Sequence, residues 1–226
     1  MALRDALTKS HALFEELESG ARYAAIAKVV SEEQEKRIRG VGDEAPIFTL
    51  EDVDRGPVSS PTLLRAGPLV INFYRGLWCP YCQKDLAGFD EIMDDVHRTH
   101  TSVLAITHFL QSGARERFIE TYDVRLTLLD DTEGRVAEQF GIRWAPEESE
   151  LIEKELGWDI ITPHGTGPWI LPMQARYVIA PDNQIVFAEV AFNYDETSSP
   201  SSILPCLANL RHRSEGGRAN ALKKKG

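Results

Sequence analysis

The apolar positions along the chain fall into two periods. Residues 67–74, GPLVINFY, are a nearly unbroken apolar run bounded by turn-forming residues, which predicts a central strand buried on both faces. In residues 83–100, Leu86, Phe89, Ile92, Met93 and Val96 recur at helical spacing and predict one buried helical face. The alternation continues with a buried strand at 101–109 and a helix at 112–123 after a Ser112 cap. A short strand at 125–131 and a helix at 133–142, stopped by Gly141, come next. Residues 143–171 read as irregular apart from a short helix around 147–156, and 162–172 read as a loop. The stretch 175–190, ARYVIAPDNQIVFAEV, reads as two strands joined by a PDNQ turn, and 200–213 as a closing helix despite Pro205. Strand–helix alternation followed by a hairpin and a final helix predicts an α/β fold, a mixed central sheet flanked by helices.

Upstream, residues 3–37 lack proline, are rich in Ala, Leu, Glu and Lys, and set Leu13, Phe14 and Leu17 on one face. Gly20 divides them into two helices that are too polar to build a core, so they must pack on the body or on a second subunit. Near Gly40 the pattern changes to Gly, Pro and short alternating strands. Three segments follow: an N-terminal helical extension over 1–40, a main domain over 41–212 and a flexible basic tail over 213–226.

Composition narrows the function classes. Of 226 residues 42% are hydrophobic, enough for a real core, and the net charge is −10. That charge argues against nucleic acid or an anionic membrane surface as partner. The basic C-terminal RANALKKKG reads as a solvated tail. The first twenty residues lack the apolar run of a signal peptide, and no stretch approaches the roughly 18 apolar residues of a membrane helix. A cytoplasmic protein with reduced thiols is therefore expected. Three cysteines, two of them in C-x-x-C, fit a reactive or metal-binding role there better than a disulfide framework.

The pair Cys79 and Cys82 closes a predicted strand and opens a predicted helix. Free N–H groups and partial positive charge at a helix N-terminus stabilise thiolate, the nucleophilic form. Two intervening residues allow an intramolecular disulfide after a first attack. Metal binding would need two more ligands, and His97, His100 and His108 form no second closely spaced pair, so no metal is expected. Arg75 is the best local group for holding a thiolate and polarising a substrate, because guanidinium stays charged and donates several hydrogen bonds. Tyr74 reads as packing. Trp78 also packs, and because it touches the motif it is placed at the substrate. Cys206, with Ile203, Leu204 and Leu207 nearby, reads as a buried inert thiol.

Three stretches, GDEAPIFTL (42–50), GPLVINFYRGLWCPYC (67–82) and ARYVIAPDNQIVFAEV (175–190), together resemble the peroxiredoxin family, the alkyl hydroperoxide reductase/thiol-specific antioxidant group. The match is to its branch with Tyr-Arg-Gly-x-Trp-Cys-Pro-Tyr-Cys. The resemblance implies a thioredoxin-like fold and a thiolate that reduces hydroperoxides without a cofactor. It also implies recycling by a thiol reductant such as a thioredoxin or glutaredoxin, and a homodimer. Against the family pattern Pro-x-x-x-Thr-x-x-Cys, Arg75 stands in the proline slot, Cys79 in the threonine slot and Cys82 in the peroxidatic slot. The slot of the remote peroxide-positioning arginine holds Gln174; Arg176, on the same side of an extended strand, is expected to substitute in binding substrate. Thioredoxin-type pairs favour Cys79 as attacker, whereas the family register favours Cys82 with Cys79 resolving, and the register is preferred. The alternative is a thioredoxin-like dithiol–disulfide oxidoreductase, although Gln174 occupies the place of its usual proline and Pro172 comes two residues early. A third reading is a catalytically weak scaffold or redox-sensing partner.

Overall fold

A computed structural model of the chain describes residues 35–52, 55–77, 80–108, 114–122, 126–144, 171–191 and 198–212. The expected N-terminal helices (all but the last residues of 3–37), the Ser112 cap, the helix around 147–156 and the tail at 213–226 lie outside these residues, as do Trp78 and Cys79.

A hairpin of β1 (Thr49–Asp52) and β2 (Gly56–Ser59) leads into α1 (Ser60–Ala66) and the central strand β3 (Leu69–Phe73). Next come α2 (Pro80–His97), β4 (Ser102–Thr107), α3 (Ala114–Tyr122), β5 (Thr127–Asp130) and α4 (Arg135–Gln139). A two-residue pair, β6 (Arg143–Trp144) with β7 (Leu171–Pro172), precedes the hairpin β8 (Ala175–Ile179) and β9 (Ile185–Val190). The main sheet runs β5-β4-β3-β8-β9, with β3, β4 and β5 parallel and β8 antiparallel to both β3 and β9. It is the expected mixed α/β sheet.

Strand β3 is buried at all five positions, which explains its continuous apolar run. Its side chains alternate between two cores. Leu69, Ile71 and Phe73 pack with Phe140, Tyr177 and Ile142, while Val70 and Tyr74 pack with Cys82, Leu86, Phe89 and Val96 of α2. Helix α2 begins three residues before the apolar spacing announces it, because Pro80 suits a first turn where its missing N–H costs nothing. At the C-terminus a 3₁₀ turn, Pro200–Ile203, runs into helical residues 204–212. Pro205 therefore occupies a first turn and interrupts nothing.

Gly141 ends α4 in a Schellman arrangement. Its N–H donates to the Glu138 carbonyl and that of Ile142 to the Ala137 carbonyl, both at 2.9 Å. Its φ is +75°, and a Cβ there would lie 2.2 Å from the Arg37 carbonyl oxygen. Backbone strain and a backbone collision thus act together. Gly141→Ala should cost about 2 kcal/mol or more, read as a lower denaturation midpoint in urea; an unchanged midpoint would show that the segment at Arg37 yields freely.

Candidate active site

The turn from β3 into α2 carries the candidate chemistry. The Tyr74 N–H donates to the Ile106 carbonyl at 3.0 Å, and the Arg75 carbonyl accepts the Thr107 hydroxyl at 3.2 Å. These bonds fix the chain as it leaves the sheet, and they hold Arg75 at 7% exposure. Cys82 follows in the first turn of α2 with no exposed surface. That turn contains no acidic residue to offset the positive end of the helix. Gln83 fastens the turn from two sides: its Nε2 donates to the Leu77 carbonyl at 2.6 Å, and its Oε1 accepts the Tyr122 hydroxyl of α3 at 3.1 Å.

Beneath this turn lies a buried ionic layer. Asn72, the one polar residue of β3, donates to Asp85 Oδ2 at 2.9 Å. The other Asp85 oxygen accepts from an Arg176 terminal nitrogen at 2.5 Å. Arg176 is the β8 partner of Asn72, so one carboxylate joins two adjacent strands to the helix carrying Cys82. The second terminal nitrogen of Arg176 faces Glu189 Oε2 at 3.4 Å, the Ser198 and Ser199 carbonyls at 3.1 and 3.2 Å, and the Ser202 hydroxyl at 3.4 Å. The guanidinium also lies over the Phe89 ring, 5.2 Å from its centroid. Only its buried Nε–H has no hydrogen-bond partner among the described residues.

Tyr74 has no exposed surface, and its hydroxyl finds no hydrogen bond among the described residues. Burial first, then the nearby Cys82 and Asp130, raise its pKa well above the usual phenol value, with Arg115 opposing. The ring therefore stays a neutral phenol.

Of the residues singled out in the sequence, Arg75 and Cys82 are both buried at the β3–α2 junction, and Arg176 enters beneath the same helix through Asp85. Gln174, in the slot of the family's remote arginine, is also buried. Cys206 is half-buried and its thiol donates to the Val186 carbonyl at 3.7 Å. His97 lines a separate cleft with Arg55, Thr101 and Thr127 at the far end of α2. Among the described residues no three His, Cys, Asp or Glu side chains are grouped to hold a metal ion, and no helix is long and apolar enough to cross a membrane. The Asp85 ion pair and the buried Tyr74 hydroxyl are features of this junction that the pattern of residues did not announce. A signal for Asp85 existed in Asn72, since a polar side chain inside a doubly buried strand needs a buried partner.

A family model for AhpC/TSA matches residues 41–188. Over 102 residues the chain is 32% identical to a putative peroxiredoxin bcp of Coxiella burnetii, covering 45% of this chain and 66% of that protein. Over 115 residues it is 24% identical to the thiol-disulfide oxidoreductase ResA of Bacillus thuringiensis, covering 51% of this chain and 65% of that one. The matched stretches thus span just under two thirds of these relatives. The crystal structure of peroxidoxin BcpB from Mycobacterium tuberculosis superposes with a TM-score of 0.59 at 23% identity, covering 76% of this chain and 97% of that one. The fold is that of the peroxiredoxins, thioredoxin-like.

Removing Asp85 strands a buried guanidinium that keeps only partial compensation from Glu189 and the serine carbonyls. Asp85→Ala should therefore destabilise the protein by about 3 kcal/mol in urea unfolding. A loss no larger than that of an exposed substitution would mean that the layer relaxes around the gap.

Proposed function

The chain belongs to the AhpC/TSA family, and from that membership we propose that it is a thiol-dependent peroxidase reducing hydrogen peroxide or organic hydroperoxides. The observation that carries the reading is the position of Cys82: in the first turn of α2, at the exit of the central strand, with Arg75 buried in the intervening turn. Helix N–H groups and a guanidinium together favour the thiolate and hold a peroxide oxygen.

The Cys82 thiolate attacks the terminal peroxide oxygen. An S–O bond forms as the O–O bond breaks, giving a sulfenic acid and an alkoxide or hydroxide that takes a proton to leave as alcohol or water. The Cys79 thiolate then attacks the Cys82 sulfur, the sulfenic oxygen leaves as hydroxide and takes a proton from solvent to become water, and a Cys79–Cys82 disulfide results. A dithiol such as a thioredoxin or glutaredoxin returns both cysteines to the reduced state. Trp78, adjoining the pair, and the Nε–H of Arg176 are assigned to the substrate. The rest of the Arg176 guanidinium positions α2 through Asp85. Burial of Cys82 suits an oxidant as narrow as a hydroperoxide and disfavours a bulky disulfide. A cytoplasmic homodimer, extended by the N-terminal helices, completes the proposal.

The same burial favours one alternative. In a dithiol–disulfide oxidoreductase the second sulfur of the pair lies inside and the first attacks, and the likeness to ResA points the same way.

Single-pulse peroxide labelling separates the two. The Cys79→Ser protein should form a sulfenic acid trapped by a dimedone-type probe without closing a disulfide, and Cys82→Ser should not be labelled. The reverse pattern makes Cys79 the attacker. Peroxide consumption by the Cys79/Cys82 double serine variant equal to that of the native protein would sink the peroxidase reading. Arg75→Ala should raise the pKa of the reactive thiol and slow its oxidation, and Arg75→Lys should recover part, because an ammonium lacks the planar fork. An unchanged thiol titration would leave Arg75 a packing residue.

A further inference from the structure

We propose that the Tyr74 hydroxyl is a catalytic hydrogen-bond donor to the oxygen that Cys82 takes from the peroxide. The proposal deepens the peroxidase reading and rests on Cys82 being the attacking sulfur.

The Tyr74 hydroxyl is fully buried and lacks a hydrogen bond among the described residues. Leaving such a donor unpaired is costly, and native interiors seldom do so. A phenylalanine would fill the same space without that cost, so packing alone gives no reason for the oxygen atom. The place of the ring supplies one. Tyr74 projects from the end of β3 to the α2 side of the sheet and shares one core cluster with Cys82, Leu86 and Phe89. The ionisable groups facing the phenol are Cys82 from α2, Asp130 from β5 and Arg115 from α3. Two of these are engaged elsewhere: Asp130 accepts the Thr132 hydroxyl at 3.2 Å, and Arg115 lies 3.9 Å from Asp52. The hydroxyl makes no hydrogen bond to the Cys82 sulfur.

Oxidation changes that. As the thiolate attacks, negative charge builds on the peroxide oxygens, and the sulfur, oxidised by two electrons, ends with an oxygen bound to it. That oxygen, one bond beyond the sulfur, is an acceptor for which the hydroxyl has no counterpart among the described residues of the reduced protein. A donor already in place, needing no reorganisation, stabilises the transition state more than the reduced ground state. The phenol acts as donor and not as acid. Burial and its negative neighbours hold its pKa well above 10, so the leaving alkoxide or hydroxide takes its proton from water and Tyr74 keeps its own.

The test compares native and Tyr74→Phe full-length proteins in two reactions of Cys82, each followed by mass mapping at that residue: oxidation by hydrogen peroxide and alkylation by iodoacetamide. Iodoacetamide delivers carbon to the sulfur and so places no oxygen there. Tyr74→Phe should slow oxidation about tenfold, the loss of one hydrogen bond to a developing charge, while alkylation at the same pH is unchanged. The pH profile of oxidation should keep its midpoint and lose height. In the Cys79→Ser protein, whose sulfenic acid persists, the infrared C–O stretch of Tyr74 should shift on oxidation. Equal oxidation rates, equal slowing of both reactions, a displaced midpoint or an unshifted stretch each overturn the proposal. If the native protein oxidises normally, the peroxidase reading survives any of those results. Failure of native Cys82 to form a sulfenic acid overturns that reading itself, and this proposal with it.

Discussion

A carboxylate buried between a helix and a sheet must be answered by positive charge and hydrogen bonds, and in this protein Asp85 is answered by Arg176 and Asn72. The consequences spread through the fold. Asn72 and Arg176 face each other across β3 and β8, so the carboxylate fixes the height and rotation of α2 over those two central strands. Cys82 lies one helical turn before Asp85 and inherits that placement. Arg176 in turn gathers Glu189 of β9 and the start of the C-terminal helical segment around Ser198 and Ser202. Apolar packing alone would let α2 slide on the sheet, because dispersion contacts have little directionality; the ion pair and its amide partner have one geometry.

The second constraint is how the chain leaves β3. Its last sheet contacts are to β4, through Ile106 and Thr107, and Gln83 ties the following loop to both α2 and α3. Arg75 is carried inward by this path, and a buried guanidinium strengthens every electrostatic interaction at the junction because little water remains to screen it. The site therefore sits where the sheet, two helices and a clamped turn meet. Its sulfur, that of Cys82, has no exposed surface, which on the proposed reading suits an oxidant of a few atoms better than a protein surface.

Tyr74 shows how such a site holds a polar group in reserve. Among the described residues its hydroxyl is a buried donor with no hydrogen bond, in the same cluster as Cys82, and its raised pKa keeps the proton on oxygen. A donor with this placement contributes little until an oxygen arrives, and that difference is the form catalytic stabilisation takes.

Much of the fold was legible in the residue pattern, because strand and helix periods are local. The doubly buried β3, the apolar face of α2, the β8–β9 hairpin and the stop at Gly141 each follow from neighbours a few residues apart. The place of Cys82 at the start of a helix after the central strand, with Arg75 in the turn between, was legible for the same reason. The closing helix expected despite Pro205 does form, but from residue 204 with Pro205 in its first turn; the 3₁₀ turn that precedes it leaves no apolar signature. The partner of Asp85 was not legible. Arg176 lies 91 residues away, and on α2 Asp85 reads as one more acid among several. Nor could the sequence tell that the Tyr74 hydroxyl has no hydrogen bond among the described residues, because an orphaned donor is defined by everything that surrounds it. By itself the sequence determined which of the described segments form strands and helices and that Cys82 stands at the start of one of them. The tertiary structure decided which buried charges meet and which donor waits for the substrate, since those depend on contacts that no local period encodes.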